Sequence, residues 1–305
     1  MTPPTPGLSI VIVNYNGGRL VEACLASIAE HVSRRPFETI VVDNGSTDGS
    51  GDQIANGFPG VQLLRSPNNV GLCRAFNQGL ARTSGTAVLA LDNDTRLLPG
   101  ALDAMLDFLD AHPEAGAVGS ALLNPDGSLQ AASRRFPSAW SGLFGRRSLL
   151  TRWFPNNPIA RRDLMHHAVD QMRPFEVDWH SAASLMVRRE VIDRIGGFDE
   201  RFFVYWSDAD WCARIRRAGW KVYTVPDARI IHDESLAGRK GRPRAKMVID
   251  FHRGAWLYYS THQTSSPWSP RSLAAAAGLA TRAAALIGSN WLRSKLAAPP
   301  GGAPS

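Results

Sequence analysis

The stretch Ala87-Val88-Leu89-Ala90-Leu91-Asp92-Asn93-Asp94-Thr95 decides how this chain is to be read. Five apolar residues without alternation are the pattern of a strand buried on both faces, as in a parallel sheet covered by helices. The run breaks at Asp92-Asn93-Asp94, so the acids fall at the carboxyl edge of the sheet, where α/β proteins bind ligands. Two carboxylates one residue apart repel each other unless a cation or a set of N–H groups balances them. A hard divalent ion shared with a substrate's phosphates is one solution. The competing reading is a solvated turn in which Asp94 caps the next segment.

Outward from this stretch, strand and helix signals alternate. Residues 10–13, 39–42 and 61–64 read as strands, and Leu20, Cys24, Ile28 and Val32 recur at helical spacing. A helix is expected over 74–82, entered from the turn Asn68-Asn69-Val70-Gly71. Pro99 suits the first position of a helix whose Leu102, Met105, Leu106 and Leu109 share one face. The alternation predicts an α/β fold with a mostly parallel central sheet and flanking helices. Residues 124–174 lack periodicity and read as loops and short helices. A strand over 177–187, a helix over 208–218, and two short strands, 221–225 and 229–231, around Pro226-Asp227 come next. Beyond these, 248–259 is helix-like, 264–270 is Ser/Pro-rich, and an Ala-rich segment runs over 272–292. The expected organisation is a flexible amino terminus (1–7), a catalytic domain (8–246), a carboxyl-terminal helical extension (247–296) and a flexible tail (297–305).

The 305 residues suffice for a sizeable core. Cys24, Cys73 and Cys212 show no metal-type spacing, so buried, reduced thiols are expected. The amino terminus has neither a basic region nor a small-residue cleavage site, which argues against a signal peptide and for a cytoplasmic protein. A net charge of +7 favours polyanionic partners. Arg134-Arg135, Arg146-Arg147 and Arg161-Arg162 read as solvated pairs, whereas Arg239-Lys240-Gly241-Arg242-Pro243-Arg244-Ala245-Lys246 is dense enough to meet phosphates. Arg282 sits at the centre of the Ala-rich segment, and a central Arg costs about 2.5 kcal/mol or more on insertion. A helix lying on a membrane surface or on a partner is preferred to one that spans, with packing on its own domain as the alternative.

Three further clusters carry chemistry. Asp43-Asn44-Gly45-Ser46-Thr47-Asp48-Gly49-Ser50 ends a strand with a carboxylate able to accept the imide N–H of uracil or thymine, although any tight turn also favours these residues. Asn14-Tyr15-Asn16, ending the first strand, would lie beside it. In Tyr205-Trp206-Ser207-Asp208-Ala209, behind Gly196-Gly197-Phe198-Asp199-Glu200, Asp208 is a candidate base at a helix start. Ser207 is a candidate N-cap there, and Asp208 and Asp210 also suit the helix dipole. His232, with Asp233 and Glu234 beside it, is either a hydrogen-bonded histidine or a metal ligand at a strand end.

The order of these motifs resembles the family-2 glycosyltransferases with a GT-A nucleotide-sugar-binding fold, over about residues 8–233, and within them a branch containing bacterial rhamnosyltransferases. The resemblance implies that Asp43 binds the pyrimidine, Asp92 and Asp94 hold Mg²⁺ or Mn²⁺ on the diphosphate, His232 is a further ligand and Asp208 is the catalytic base. Asn14, Tyr15, Asn16, Asn69, Arg74, Asn77 and Asn93 join Asp43 and Asp92 on the donor side. Trp179, His180, Trp206 and Ser207 fall on the acceptor side. Two positions depart from the family pattern: Ser207 stands where Glu usually precedes the base, and Ala182 where Gly is usual. The activity implied is inverting transfer of a sugar, L-rhamnose from dTDP-rhamnose or another dTDP- or UDP-linked donor, to a lipid-linked or polysaccharide acceptor of the cell envelope. Implied partners are those two substrates and an anionic membrane surface or a second subunit, not nucleic acid. A non-catalytic nucleotide-sugar or glycan-binding protein and a sugar-phosphate nucleotidyltransferase are the alternatives, the second weakened because Asn14-Tyr15-Asn16-Gly17-Gly18 is followed by Arg19 as its only cation.

Overall fold

A computed structural model describes residues 7–31, 33–136, 172–234 and 245–297. The first half is a regular alternation: β1 (Leu8–Asn14), α1 (Arg19–Glu30), β2 (Phe37–Asn44), α2 (Ser50–Gly57), β3 (Gln62–Ser66), α3 (Leu72–Leu80) and β4 (Ala87–Asp92). These strands run parallel in the order β3-β2-β1-β4. Then come β5 (Thr95–Leu97), α4 (Ala101–Ala111) and β6 (Ala115–Leu123). The second half holds β7 (Ser133–Arg134), β8 (Phe175–Val177), β9 (Trp179–His180), β10 (Ser184–Arg188), α5 (Arg189–Ile195), α6 (Ser207–Arg217) and β11 (Lys221–His232). Two helices, α7 (Ala245–His262) and α8 (Pro270–Ala297), complete the described chain.

The parallel order does not continue across the whole sheet. β10 inserts antiparallel between β4 and β6, and β11 pairs parallel to β6 but antiparallel to β5 and β8. The expected strand over 177–187 is broken, because residues 181–183 turn out of the ladder between β9 and β10. β9 pairs instead with β7 in a separate two-stranded sheet. The two short strands expected around Pro226 are one strand, β11, whose register shifts between Val225 and Arg229. Proline removes a ladder donor there and creates a bulge without ending the strand.

Alternating side chains divide the core between the two faces of the sheet. Ile10, Ile12, Leu89 and Leu91 face one way with Cys24 and Ile28 of α1 and Met105 of α4. Val11, Val88 and Ala90 face the other way with Phe76 of α3 and Trp211 and Ile215 of α6. Each such large side chain contributes about 1.5–3 kcal/mol by leaving water, which explains the unalternated apolar run of β4. Trp211, fully buried, satisfies its indole N–H on the Gly196 carbonyl at 3.0 Å.

Helix α8 is the exception, with Leu273, Leu286, Trp291 and Leu292 exposed. Arg146-Arg147, Arg161-Arg162, most of the run 239–246, residues 1–6 and residues 298–305 lie outside the described residues.

Candidate active site

The carboxyl ends of β1, β2 and β4 meet in one polar network. Asn14 at the end of β1 is fully buried, and its Nδ2 lies 3.2 Å from Asp43 Oδ1, 3.2 Å from Ser46 Oγ and 2.9 Å from Ser50 Oγ. Its Oδ1 accepts Asn93 Nδ2 at 3.0 Å. Asn14 therefore braces the strand-end residues from below, and with no exposed atoms it orients the donor side instead of touching a donor. Asp43 is 6 % exposed and its other oxygen lies against Gly51, where any Cβ would collide with it.

Around the rim, Asn16 Oδ1 accepts the Thr47 N–H at 2.8 Å, and Tyr15 is exposed. Asn69 closes its own turn, accepting Gly71 N–H at 2.9 Å and Asn44 Nδ2 at 3.2 Å. Arg74 pairs with Glu200 at 3.0 Å, and Asn77 bonds both backbone groups of Phe198. In this arrangement Asn69, Arg74 and Asn77 hold loops in place.

The acidic turn is completed from far along the chain. β5 pairs with the end of β11, opposing Thr95 to His232, so His232 is delivered to the Asp92–Asp94 turn. His232 Nε2 lies 3.2 Å from Asp94 Oδ1 and 3.7 Å from Asp92 Oδ2. One ligand atom from each of the three lies within 4.8 Å of the others. Asp94 Oδ1 and His232 Nε2 are buried and make no hydrogen bond. The opposite ring nitrogen, Nδ1, sits 2.9 Å from Gln130 Oε1, an oxygen that can only accept. Nδ1 therefore carries the hydrogen in the neutral ring, and the Nε2 lone pair faces two carboxylates. Only a proton or a cation makes that arrangement favourable. Burial lowers the His232 pKa, but Asp94 and Asp92 outweigh it and the net shift is upward. The donor set of two carboxylates and an oriented imidazole fits a divalent metal ion.

Asp208, the second residue of α6, lies beside this turn. Its carboxylate accepts the Ala209 N–H at 2.8 Å and is near enough to the Ala182 N–H for that group to lower its pKa, while the next carbonyl, Ala183 O, accepts the Asp92 N–H at 3.1 Å. Two consecutive residues, Ala182 and Ala183, thus lie between the base candidate and the metal turn. Burial raises the Asp208 pKa, opposed by these N–H groups and by the Arg134 charge. Its neighbour Trp206 has φ 75°, a strained left-handed conformation for a bulky residue, of the kind that clusters at functional sites.

Several sequence expectations change here. Ser207 is not the N-cap: it is the first residue of α6, and its Oγ donates to Val204 O at 2.9 Å. His180 is fully buried, its ring nitrogens 3.0 Å from Ser181 O and 2.9 Å from Ser120 O, and burial lowers its pKa to about 4. It lies in the floor and does not face an acceptor. Trp179 is 8 % exposed, with the Arg134 guanidinium 4.9 Å from its ring centroid. Arg134 is accordingly placed near the base and is not simply part of a solvated pair. Gln130 carries no signal in the sequence, because nothing in the aperiodic stretch around it marks the bridge from Leu123 to Leu129 that aims it at β11.

The architecture recurs in solved glycosyltransferases. A mannosyltransferase, PcManGT from Pyrobaculum calidifontis, solved with GDP-Man and Mn²⁺, superposes with a TM-score of 0.58 at 20 % identity, covering 97 % of this chain and 76 % of that one. GalNAc-T7, solved with UDP, GalNAc and Mn²⁺, gives 0.60 at 14 % identity, covering 92 % and 55 %. The fold is therefore GT-A. Residues 9–183 match the family Glycosyl transferase family 2. An N-acetylglucosaminyl-diphospho-decaprenol L-rhamnosyltransferase of Mycobacterium tuberculosis is 31 % identical over 302 residues, covering 95 % of this chain and 96 % of its own length. A dTDP-rhamnosyl transferase of Shigella flexneri, RfbF, is 22 % identical over 255 residues, covering 82 % and 75 %. The chain belongs to glycosyltransferase family 2 and is an enzyme of that class, with rhamnosyltransferases among its relatives.

Proposed function

We propose that this enzyme is an inverting, metal-dependent rhamnosyltransferase that takes L-rhamnose from dTDP-L-rhamnose to a lipid-diphosphate-linked or polysaccharide acceptor. The observation that carries the reading is the placement of an Asp92/Asp94/His232 donor set beside Asp208, with the Ala182-Ala183 dipeptide between them. The rhamnosyl donor and the lipid-diphosphate acceptor come from the names of its relatives.

Asp43, braced by Asn14, is poised to accept the imide N–H of the pyrimidine at the end of β2. Asp92, Asp94 and His232 would hold the metal ion, which when bound stabilises the charge of the departing diphosphate. Asp208 removes the acceptor hydroxyl proton as the sugar transfers through an oxocarbenium-like state. One base and one displacement give inversion. Its raised pKa makes Asp208 a stronger base than a solvated carboxylate, and the Ala209 N–H, bonded at 2.8 Å, fixes its direction. A set that includes an imidazole suits Mn²⁺ better than Mg²⁺, which prefers oxygen donors and retained waters. The test is dTDP release by purified enzyme with dTDP-L-rhamnose, UDP-glucose or GDP-mannose, with Mn²⁺, Mg²⁺ or chelator. Equal activity in chelator would remove the metal from the reading, and preference for another donor would remove rhamnose.

We further propose that α8 rests on an anionic membrane surface. Along it Leu273, Ala277, Ala280, Ala284, Ile287 and Trp291 recur at alternating intervals of four and three, forming one apolar side, while Arg271, Arg282 and Arg293 line the opposite side. Residues 251–305 contain no Asp or Glu. The span Pro270–Arg293 has the length and hydropathy to cross a membrane. Arg282 favours lying on the surface, because an interfacial helix keeps it on the water side.

A further inference from the structure

The Phe203–Asp210 segment, which carries the base, is lined on its outer side by α7, outside the 9–183 family match. The contacts run in order along both. Lys246 Nζ lies 5.2 Å from the Phe203 ring centroid. Asp250, whose pKa burial raises, faces the Val204 and Tyr205 N–H groups, which pull it back down. The Phe251 ring centroid is 5.6 Å from each of the Tyr205 and Trp206 rings. At Gly254 a Cβ would stand 2.7 Å from Tyr205 O, so only glycine lets the two backbones approach this closely. The Tyr258 ring centroid lies 5.5 Å from that of Trp206, the two planes tilted by 35°.

The last contact is the strongest. His262 Nε2 lies 2.7 Å from Asp210 Oδ1, the two side chains being 3 % and 1 % exposed. Asp210 Oδ2 is held by Arg214 Nε at 2.8 Å, and Arg214 in turn donates to Ile195 O and Gly197 O. Asp210 N–H bonds Trp206 O at 3.0 Å, across Asp208. Lys246, Asp250, Gly254, Tyr258 and His262 are spaced every four residues, each step turning about 40° round the axis, so a stripe winding along α7 makes these contacts together with Phe251.

We propose that α7 is a splint for the base-carrying segment and that His262, through Asp210, is a positioning residue for Asp208. The strained Trp206 backbone is the reason a splint is needed: a left-handed bulky residue immediately before α6 relaxes unless its surroundings hold it. The segment cannot hold itself, since the Ser207 hydroxyl is committed to Val204 O and gives α6 no side-chain cap. The inference rests on Asp208 being the base.

The test compares His262→Ala, His262→Gln and Gly254→Ala with Leu106→Ala, a core truncation in α4 on the opposite face of the sheet. The readouts are kcat, donor KM and melting temperature of the full chain. His262→Ala is expected to lower kcat by about 100-fold, the usual consequence of a misplacement near 1 Å, with donor KM within about twofold of the wild type. His262→Gln should recover most of kcat, because its amide N–H can still donate to Asp210. Gly254→Ala, displacing the middle of the splint, should also reduce kcat, whereas Leu106→Ala should lower the melting temperature with kcat intact. Wild-type kcat in folded His262→Ala, kcat losses no greater than those of Leu106→Ala, or a parallel loss of donor affinity would each overturn the proposal. Near-normal turnover in Asp208→Asn sinks the base assignment instead, and so separates the two failures.

Discussion

Replacing Asp208 by Asn should lower catalysis and raise stability, and the structure supplies both signs. The amide is nearly isosteric and keeps an oxygen to accept the Ala209 N–H, bonded at 2.8 Å in the wild type. The polar network of Asn14, Asp43 and Asn93 does not include Asp208, so nucleotide binding should change by less than about twofold. What is lost is the basic lone pair, worth roughly 10²–10⁴ in rate, or about 3–5 kcal/mol in the barrier. Stability should move the other way, because burial raises the Asp208 pKa. Below about pH 3.9, the ordinary Asp value, the carboxyl is protonated in folded and unfolded chains alike. As pH rises toward its higher folded value, the unfolded chain gives up the proton first and stability falls. Above that value the loss is complete. Asn has no proton to release, so the variant should melt above the wild type at pH 7 and converge with it in acid. Steady-state dTDP release, calorimetry with dTDP and Mn²⁺, and melting curves from pH 4 to 8 measure the three quantities. Turnover within about threefold of the wild type, or a variant less stable at pH 7, would refute the reasoning.

Asp94→Ala should weaken dTDP binding in the presence of Mn²⁺ while leaving thymidine binding unchanged, because it removes a buried ligand and not a contact to the base; equal calorimetric losses for the two would contradict this. Gln130→Ala should lower Mn²⁺ affinity by about 10–100-fold by freeing the His232 ring, and binding of Mn²⁺ alone at wild-type strength would exclude that orienting role. Leu89→Ala, at a fully buried position in β4, should cost about 2–5 kcal/mol in denaturant unfolding, and a smaller loss would mean the core closes over the gap. A chain ending at Gln263 should lose salt-sensitive sedimentation with anionic vesicles; if it pellets as the full chain does, or neither pellets, α8 is not the membrane contact.

Much of this enzyme is legible one residue at a time. The unalternated run 87–91 announces a strand covered on both faces, and the strands before it carry the same signal, because local burial writes itself into local composition. Acids and amides at the strand ends mark the ligand edge for the same reason: polar residues next to a buried run must be where the strand leaves the core. The second half escapes that logic. β10 and β11 have apolar patterns compatible with either strand direction, and it is the antiparallel pairings of β10 with β4 and β6 and of β11 with β5 and β8 that make the sheet mixed. Hydrogen-bond direction depends on which neighbour is present, which is a property of the assembled sheet. The roles of polar residues are decided at the same level. His180 reads in sequence as an acceptor-side residue and is sealed in the floor, while Gln130 and His262, with no local signal, gain their parts from partners 102 and 52 residues away. A side chain's chemistry is written in the sequence; the atom it faces, and so whether it binds, orients or merely fills, exists only once the chain has closed on itself.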